Sequence, residues 1–197
     1  MERTDLGRIV AFTDGVMAVA ITLLVLNLEV PTVPGDELTD ALVDLIPSLI
    51  AYLLAFALVG RFWVIHHRLF ETLRAFDSRL MTLNLAFLTL IVLVPFATAL
   101  FDRYTDEPIA SAVLGLILGL AALTHWLAVV YTLRSGLVHE EHRPVTEPVA
   151  TPVGLGFTLL FLLSVPVAFL SPTVATLMWA ATILLHYPIG RMRTKGS

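Results

Sequence analysis

The sequence predicts an all-α integral membrane protein with six transmembrane helices, and three observations predict it. Of 197 residues, 57% are hydrophobic and only 14% charged, with a mean hydropathy of +0.87, too little polar surface to cover a soluble globule of this size. The apolar residues gather into runs of about 20 or more, the length that crosses about 30 Å of hydrocarbon. Between the runs lie segments rich in proline, glycine and charge, which stop helices. Residues 1–197 therefore read as one membrane domain. The formal net charge of −4 is spread over loops with no basic stripe suited to nucleic acid, and the lack of cysteine removes disulfides, thiolate metal sites and thiol nucleophiles.

The spans follow in order. The first, 6–28, is closed by "EVPTVPGDE". Asp14 interrupts its apolar run and the leading "MERTDLGR" has no net charge, so it reads as a retained span and not a cleaved signal. The second, 40–70, starts behind Thr39 and Asp40 as a cap and is longer than the hydrocarbon requires, so it tilts or protrudes. The third, 78–101, follows Asp77 as N-cap. The fourth, 108–133, opens behind Glu107-Pro108. The polar loop "RSGLVHEEHRPVTEP" separates it from the fifth, 149–170, and the sixth, 172–189, precedes a short basic tail.

Charge asymmetry orients the chain. Six spans put both termini on one side, and that side collects ten of the twelve lysines and arginines, among them Arg68, Arg74, Arg79, Arg134, Arg143, Arg191, Arg193 and Lys195. It is expected to be cytoplasmic, in a cell membrane. The opposite loops carry Arg103 against Glu29, Asp36, Glu37, Asp102, Asp106 and Glu107, an acidic outer face that either attracts cations or is simply solvated.

Chemistry concentrates in two places. On the first helix Gly15, Val19, Thr22 and Leu26 step by four, three and four and so share a stripe, with Leu23 at its edge. Such a stripe is expected of any packing face in a membrane bundle. Asp14 is the anomaly, because a carboxylate within a span costs about 2.5 kcal/mol or more unless paired, hydrated or near the interface. Arg8, six residues back, is off the neighbouring helical positions, so the partner of Asp14 is expected on another helix or in water. The second place is "RFWVIHHRLF", where Arg61, Trp63, His66, His67 and Arg68 crowd one end of the second span. A plain interfacial anchor is one reading. Adjacent histidines point about 100° apart on a helix, a poor arrangement for a metal, but either suits a hydrogen bond to Thr13 or Asp14. Asn84 is expected to pin two helices together, and His125 and His186 to be packing histidines.

These stretches carry a resemblance. "RIVAFTDGVMAVAITLLVLNLEVP" resembles the opening of the lysosomal potassium channel family, the transmembrane protein 175 family, whose first helix carries an Arg-x-x-x-Phe-Ser-Asp motif, read here as Arg8, Phe12, Thr13 and Asp14. "FWVIHHRLF" resembles the Trp-x-x-His-His-x-x-Phe segment of that family's second helix, as Trp63, His66, His67 and Phe70. "DSRLMTLNLAFLTLIVLVPFATALF" looks like its third helix, with an aspartate, an asparagine and a proline-phenylalanine pair. The likeness covers the first half by motif and the second half by span count.

It implies a single-repeat prokaryotic member: a homotetramer in membrane lipid, four first helices around a central cation pore, no cofactor, no bound metal, and potassium as the permeant ion. It also implies a constriction of apolar first-helix side chains instead of a glycine-rich carbonyl filter. Carried over, the constriction begins at Val19 and continues through Thr22, Leu23 and Leu26, the stripe already read from periodicity. Two departures stand out: Thr13 replaces serine but keeps the hydroxyl, and Val19 replaces a bulkier isoleucine or leucine. Arg8, Phe12, Thr13, Asp14, Trp63, His66, His67 and Asn84 are then expected to form a polar network that holds the first helix, not an ion site.

An apolar ring gates by dewetting, and ions that shed water cheaply pass preferentially when it widens. Modest selectivity for potassium over sodium is therefore expected. A proton-coupled transporter using Asp14 and the histidines is the alternative, with Pro95 and Pro166 as places where the third and fifth spans break. An enzyme is not expected, because the scattered histidines lack ligand spacing.

Overall fold

A computed structural model describes residues 3–150 and 152–184, and its regular structure is helical apart from one isolated bridge between Leu73 and Val138. In chain order the helices are α1 (Arg3–Leu23), α2 (Leu38–Asp44), α3 (Ile46–Glu71), α4 (Ser78–Arg103), α5 (Pro108–Arg134), α6 (Arg143–Ala150), α7 (Pro152–Ala168) and α8 (Pro172–Leu184). Short 3₁₀ turns occupy Leu24–Asn27 and Glu140–His142. Among the described residues, five stretches are long and apolar enough to cross a bilayer: Leu6–Asn27, Ile46–Glu71, Ser78–Arg103, Pro108–Arg134 and Thr146–Ala168.

The expected spans need correcting in two places. The first does not stay α-helical to residue 28: α1 ends at Leu23 and tightens into the 3₁₀ turn. Pro31 keeps the helix from continuing beyond the turn, because its ring would clash with the carbonyl of Asn27 in an α-helix. The second divides at Leu45 into α2 and α3, with Pro47 in the first turn of α3, where its missing N–H costs nothing. Its start uses no side-chain cap, since α2 follows Glu37 without one and not Thr39 or Asp40. The sixth is helical from Pro172 to Leu184, as far as the described residues reach. The expected remainder to 189, His186, and the basic tail with Arg191, Arg193 and Lys195 lie outside the described residues. Pro95 and Pro166 break nothing: α4 and α7 run through them.

The bundle is centred on α5, which packs against α4 on one side and α7 on the other, with α8 behind α7. Gly115 and Gly119 allow the close approach to α7. A Cβ at Gly119 would sit 2.6 Å from the Leu162 side chain and 3.2 Å from its backbone nitrogen, and one at Gly115 would sit 2.6 Å from Ser164 Oγ. This is the small-xxx-small device by which membrane helices gain contact without a hydrophobic drive. Trp179 of α8, fully buried, donates from Nε1 to Ser164 Oγ at 2.8 Å and so needs no water.

At the arginine-bearing end the loops are clipped together. Arg74 N donates to Leu137 O (2.9 Å), His139 N to Thr72 O (2.9 Å) and Arg74 Nε to Gly136 O (2.7 Å). Gly136 makes the turn at φ +65°, a region that favours glycine. Asp77 caps α4 as expected, accepting from Leu80 N at 2.9 Å, and it also accepts from the Tyr131 hydroxyl of α5. The outward faces of α3, α4 and α5 present Leu53, Phe56, Val92, Phe96 and Leu116 exposed, an apolar area suited to lipid and too large for a soluble monomer.

Candidate functional site: the first helix and its polar support

Helix α1 lies against α3 and α4 and divides into two faces. Ile9, Thr13, Met17, Ala20 and Leu24 are buried, while Arg8, Ala11, Phe12, Gly15, Ala18, Val19, Thr22, Leu23 and Leu26 are exposed. The exposed set repeats at three and four residues, so it forms one unpartnered stripe along the helix. Val19 is 57% exposed and Leu26 73%, and with Thr22 and Leu23 they lie on the side of α1 that the rest of the chain leaves uncovered. The 3₁₀ turn shifts Leu26. Each of its residues advances about 120° and not 100°, which rotates Leu26 by about 60° from its position on a continuous α-helix.

Thr22 has a defined polarity. Its hydroxyl donates to Val19 O at 2.8 Å, so the proton is turned into the helix and the oxygen lone pairs are left on the exposed face.

The polar residues expected to form one network fall into two groups. The first is buried. Asn84 Nδ2 of α4 donates to Thr13 Oγ1 of α1 at 3.0 Å, and Asn84 Oδ1 lies 2.9 Å from His66 Nε2 of α3. With the amide donating to Thr13, its oxygen must accept, so His66 carries its proton on Nε2. His66 Nδ1 is then an acceptor, and His125 Nδ1 of α5, 3.2 Å away, donates to it. One directed chain thus runs from α5 through α3 and α4 to α1. Phe87 stacks on the His66 ring, with centroids 4.4 Å apart, and walls the chain in.

The second group is half exposed. Asp14 Oδ1 accepts from Trp63 Nε1 at 2.9 Å and lies 3.7 Å from His67 Nδ1, while His67 Nε2 is 3.5 Å from Glu71. Trp63 stacks on His67 at 5.4 Å. The two adjacent histidines therefore serve different groups, as their 100° separation requires. Arg8 and Phe12 join neither: both are exposed, and among the described residues Arg8 makes no ion pair or hydrogen bond.

Sequence reasoning misses two members. His125, which reads as a packing histidine, is the far end of the buried chain. Asn27 donates from Nδ2 to Pro95 O at 3.0 Å and ties the 3₁₀ turn to α4. The signal for Asn27 is the one that identifies Asn84, a lone amide in an apolar run.

Known proteins resemble this chain in sequence and fold. Residues 8–95 match the family model described as endosomal/lysosomal potassium channel TMEM175. A potassium channel of Streptomyces collinus is 35% identical over 189 residues, covering 92% of this chain and 90% of that protein. A potassium channel of Chamaesiphon minutus is 41% identical over 127 residues, 61% of this chain and 63% of that one. The endosomal/lysosomal proton channel TMEM175 of Bos taurus is 33% identical over 110 residues, only 23% of its length. The crystal structure of a lysosomal potassium-selective channel TMEM175 homologue from Chamaesiphon minutus superposes with a TM-score of 0.80 at 29% identity, over 92% of this chain and 96% of that one. With its motifs on α1, α3 and α4 and a relative matched along nearly its whole length, the chain belongs to the TMEM175 family, a family of ion channels and not of enzymes.

Proposed function

We propose that four copies of the chain surround a central pore lined by α1 and conduct potassium, with modest preference over sodium, across a cell membrane with both termini in the cytoplasm. The observation that carries this reading is the exposed stripe of α1, apolar from Ala11 to Leu26 except for Thr22. Val19, Leu23 and Leu26 supply the barrier, a ring too apolar to hold a water column when narrow. Thr22 offers four outward lone-pair oxygens one turn beyond Val19, which replace part of an ion's hydration when the ring widens. Potassium sheds water more cheaply than sodium and passes preferentially. The polar groups stay behind α1: Thr13, His66, Asn84 and His125 on its buried side, and Asp14, Trp63 and His67 at its edge. They position the helix and do not bind the ion.

The potassium-channel names of the Streptomyces collinus and Chamaesiphon minutus relatives support the choice of ion. The name of the Bos taurus relative favours a second reading, proton conduction. The buried chain is a poor proton path, because the Asn84 amide interrupts it and cannot pass a proton on. Flux through purified protein in liposomes, read with potassium, sodium and proton indicators, separates the readings. Potassium flux above sodium, with a ratio reduced in Thr22→Val, is expected. An unchanged ratio refutes the role of Thr22, and saturable proton-coupled flux refutes the channel.

A further inference from the structure

The last turn of α1 is wound differently from the rest, and one side chain depends on that winding. Leu24–Asn27 forms a 3₁₀ turn packed against α3 and α4, with Leu24 buried. A 3₁₀ turn at the end of a helix is ordinary; this one is also fastened sideways. Asn27 Nδ2 donates to Pro95 O of α4 at 3.0 Å. Winding at 120° and not 100° per residue turns Asn27 by about 80° from its place on a continuous α-helix. Undoing that turn carries the amide several ångströms from Pro95 O, outside hydrogen-bond reach. The bond and the 3₁₀ winding therefore require each other.

The same winding decides what the turn presents to the exposed stripe. Gly15, Val19 and Thr22 fall within about 60° of one another around α1. On a continuing α-helix Leu26 would sit about 10° from the midline of that stripe and Val25 about 90° from it. In the 3₁₀ turn Val25 lies about 50° to one side of the midline and Leu26 about 70° to the other. Both side chains are exposed, Val25 by 48% and Leu26 by 73%.

We propose that Asn27 is a positioning residue for the ion path: by holding the 3₁₀ turn it keeps Leu26 off the axis and brings Val25 into the outer end of the constriction. The inference deepens the reading that four α1 helices line the pore, and it rests on that reading. Around a fourfold axis, a leucine on the midline of every α1 closes the ring. A valine and a leucine set to either side leave it wider, and an apolar ring conducts only when it is wide enough to hold water. Release of the Asn27 amide lets the turn relax to α winding, swings Leu26 onto the axis and shuts the outer end.

The test is potassium flux through the full chain in liposomes. Asn27→Leu keeps the size of the side chain and removes the donor, and flux should fall several-fold. Adding Leu26→Ala should restore it, because alanine has nothing to swing into the path, and should raise flux far more in that background than in the parent protein. Unchanged flux in Asn27→Leu, or a loss that Leu26→Ala leaves in place, overturns the proposal. A second measurement needs no change at Asn27. Val25→Cys and Leu26→Cys, made singly in the cysteine-free chain, should both be blocked by a water-soluble, charged thiol reagent. Block through Leu26→Cys alone puts Leu26 on the axis and overturns the proposal. Flux that persists through thiol-modified Val19→Cys refutes instead the pore reading on which the proposal rests.

Discussion

Replacing Asn84 by leucine removes the link that the buried chain makes between α3 and α1. Asn84 is 1% exposed and holds two interhelical hydrogen bonds, to Thr13 at 3.0 Å and to His66 at 2.9 Å. The Thr13 hydroxyl can turn to a carbonyl of its own helix, so its loss is about 0.6 kcal/mol, the average for interhelical bonds in membrane bundles. The His66 Nε2–H has no such refuge, being walled by Phe70 and Phe87, and an orphaned buried donor costs about 1–3 kcal/mol. Together Asn84→Leu should destabilise the protein by about 2–4 kcal/mol, a fall in Tm of roughly 4–16 °C for a chain of this length. Thermal unfolding of the purified protein in detergent measures it, with Leu85→Ala, half exposed on the same helix, as a control expected to cost under about 1 kcal/mol. The double variant with Thr13→Val should show coupling of about 0.6–1.7 kcal/mol. A Tm for Asn84→Leu within a degree of the parent protein would refute the argument that the chain supports α1.

Three other outcomes follow from neighbouring contacts. Asp14→Asn keeps the oxygen that accepts from Trp63 Nε1, so it should cost less than about 1 kcal/mol, whereas Asp14→Leu loses the acceptor and should cost about 1–2; equal losses in the same unfolding assay would show that charge and not hydrogen bonding matters there. Gly119→Val must push α7 away, since even a Cβ lies 3.2 Å from the Leu162 backbone nitrogen, and should cost about 1–3 kcal/mol, read as lowered Tm and reduced yield of folded protein. The Tyr131 hydroxyl, seconded by the Leu80 and Arg79 backbone N–H groups, holds the Asp77 carboxyl below its ordinary range. A carboxylate depressed on folding stabilises the protein above its unfolded pKa and loses that contribution as pH falls through the folded value. Tyr131→Phe should therefore raise the Asp77 pKa in an NMR titration and narrow the acid range in which the arginine-bearing end stays clipped; an unmoved titration contradicts the assignment.

Much of the fold is legible in the amino-acid sequence because its signals are local. Spans are written in runs of apolar residues, a cap in one residue, Asp77, and the stripe of α1 in steps of three and four. The polar support is only half legible, because its pairing is tertiary. Nothing near residue 125 in the sequence announces that its ring faces His66 on a helix 59 positions away. Asp14, Arg8 and the two histidines read as one network because they share a depth in the membrane; azimuth around the helix, which divides them, depends on where α3 and α4 dock. The break at Leu45 is signalled by Pro47, yet an apolar run long enough to span hides the change to 3₁₀ geometry at Leu24–Asn27.

The central claim is that the exposed stripe of α1 faces the ion path and not lipid. The absence of cysteine leaves a clean background for testing it. Val19→Cys and, as a comparison, Leu53→Cys on the exposed side of α3 are placed singly in the protein in liposomes, and potassium flux is followed as a water-soluble, charged thiol reagent is added. The account predicts that the reagent blocks flux through Val19→Cys and leaves Leu53→Cys unaffected. Flux through Val19→Cys that persists after demonstrated modification of the thiol would contradict it.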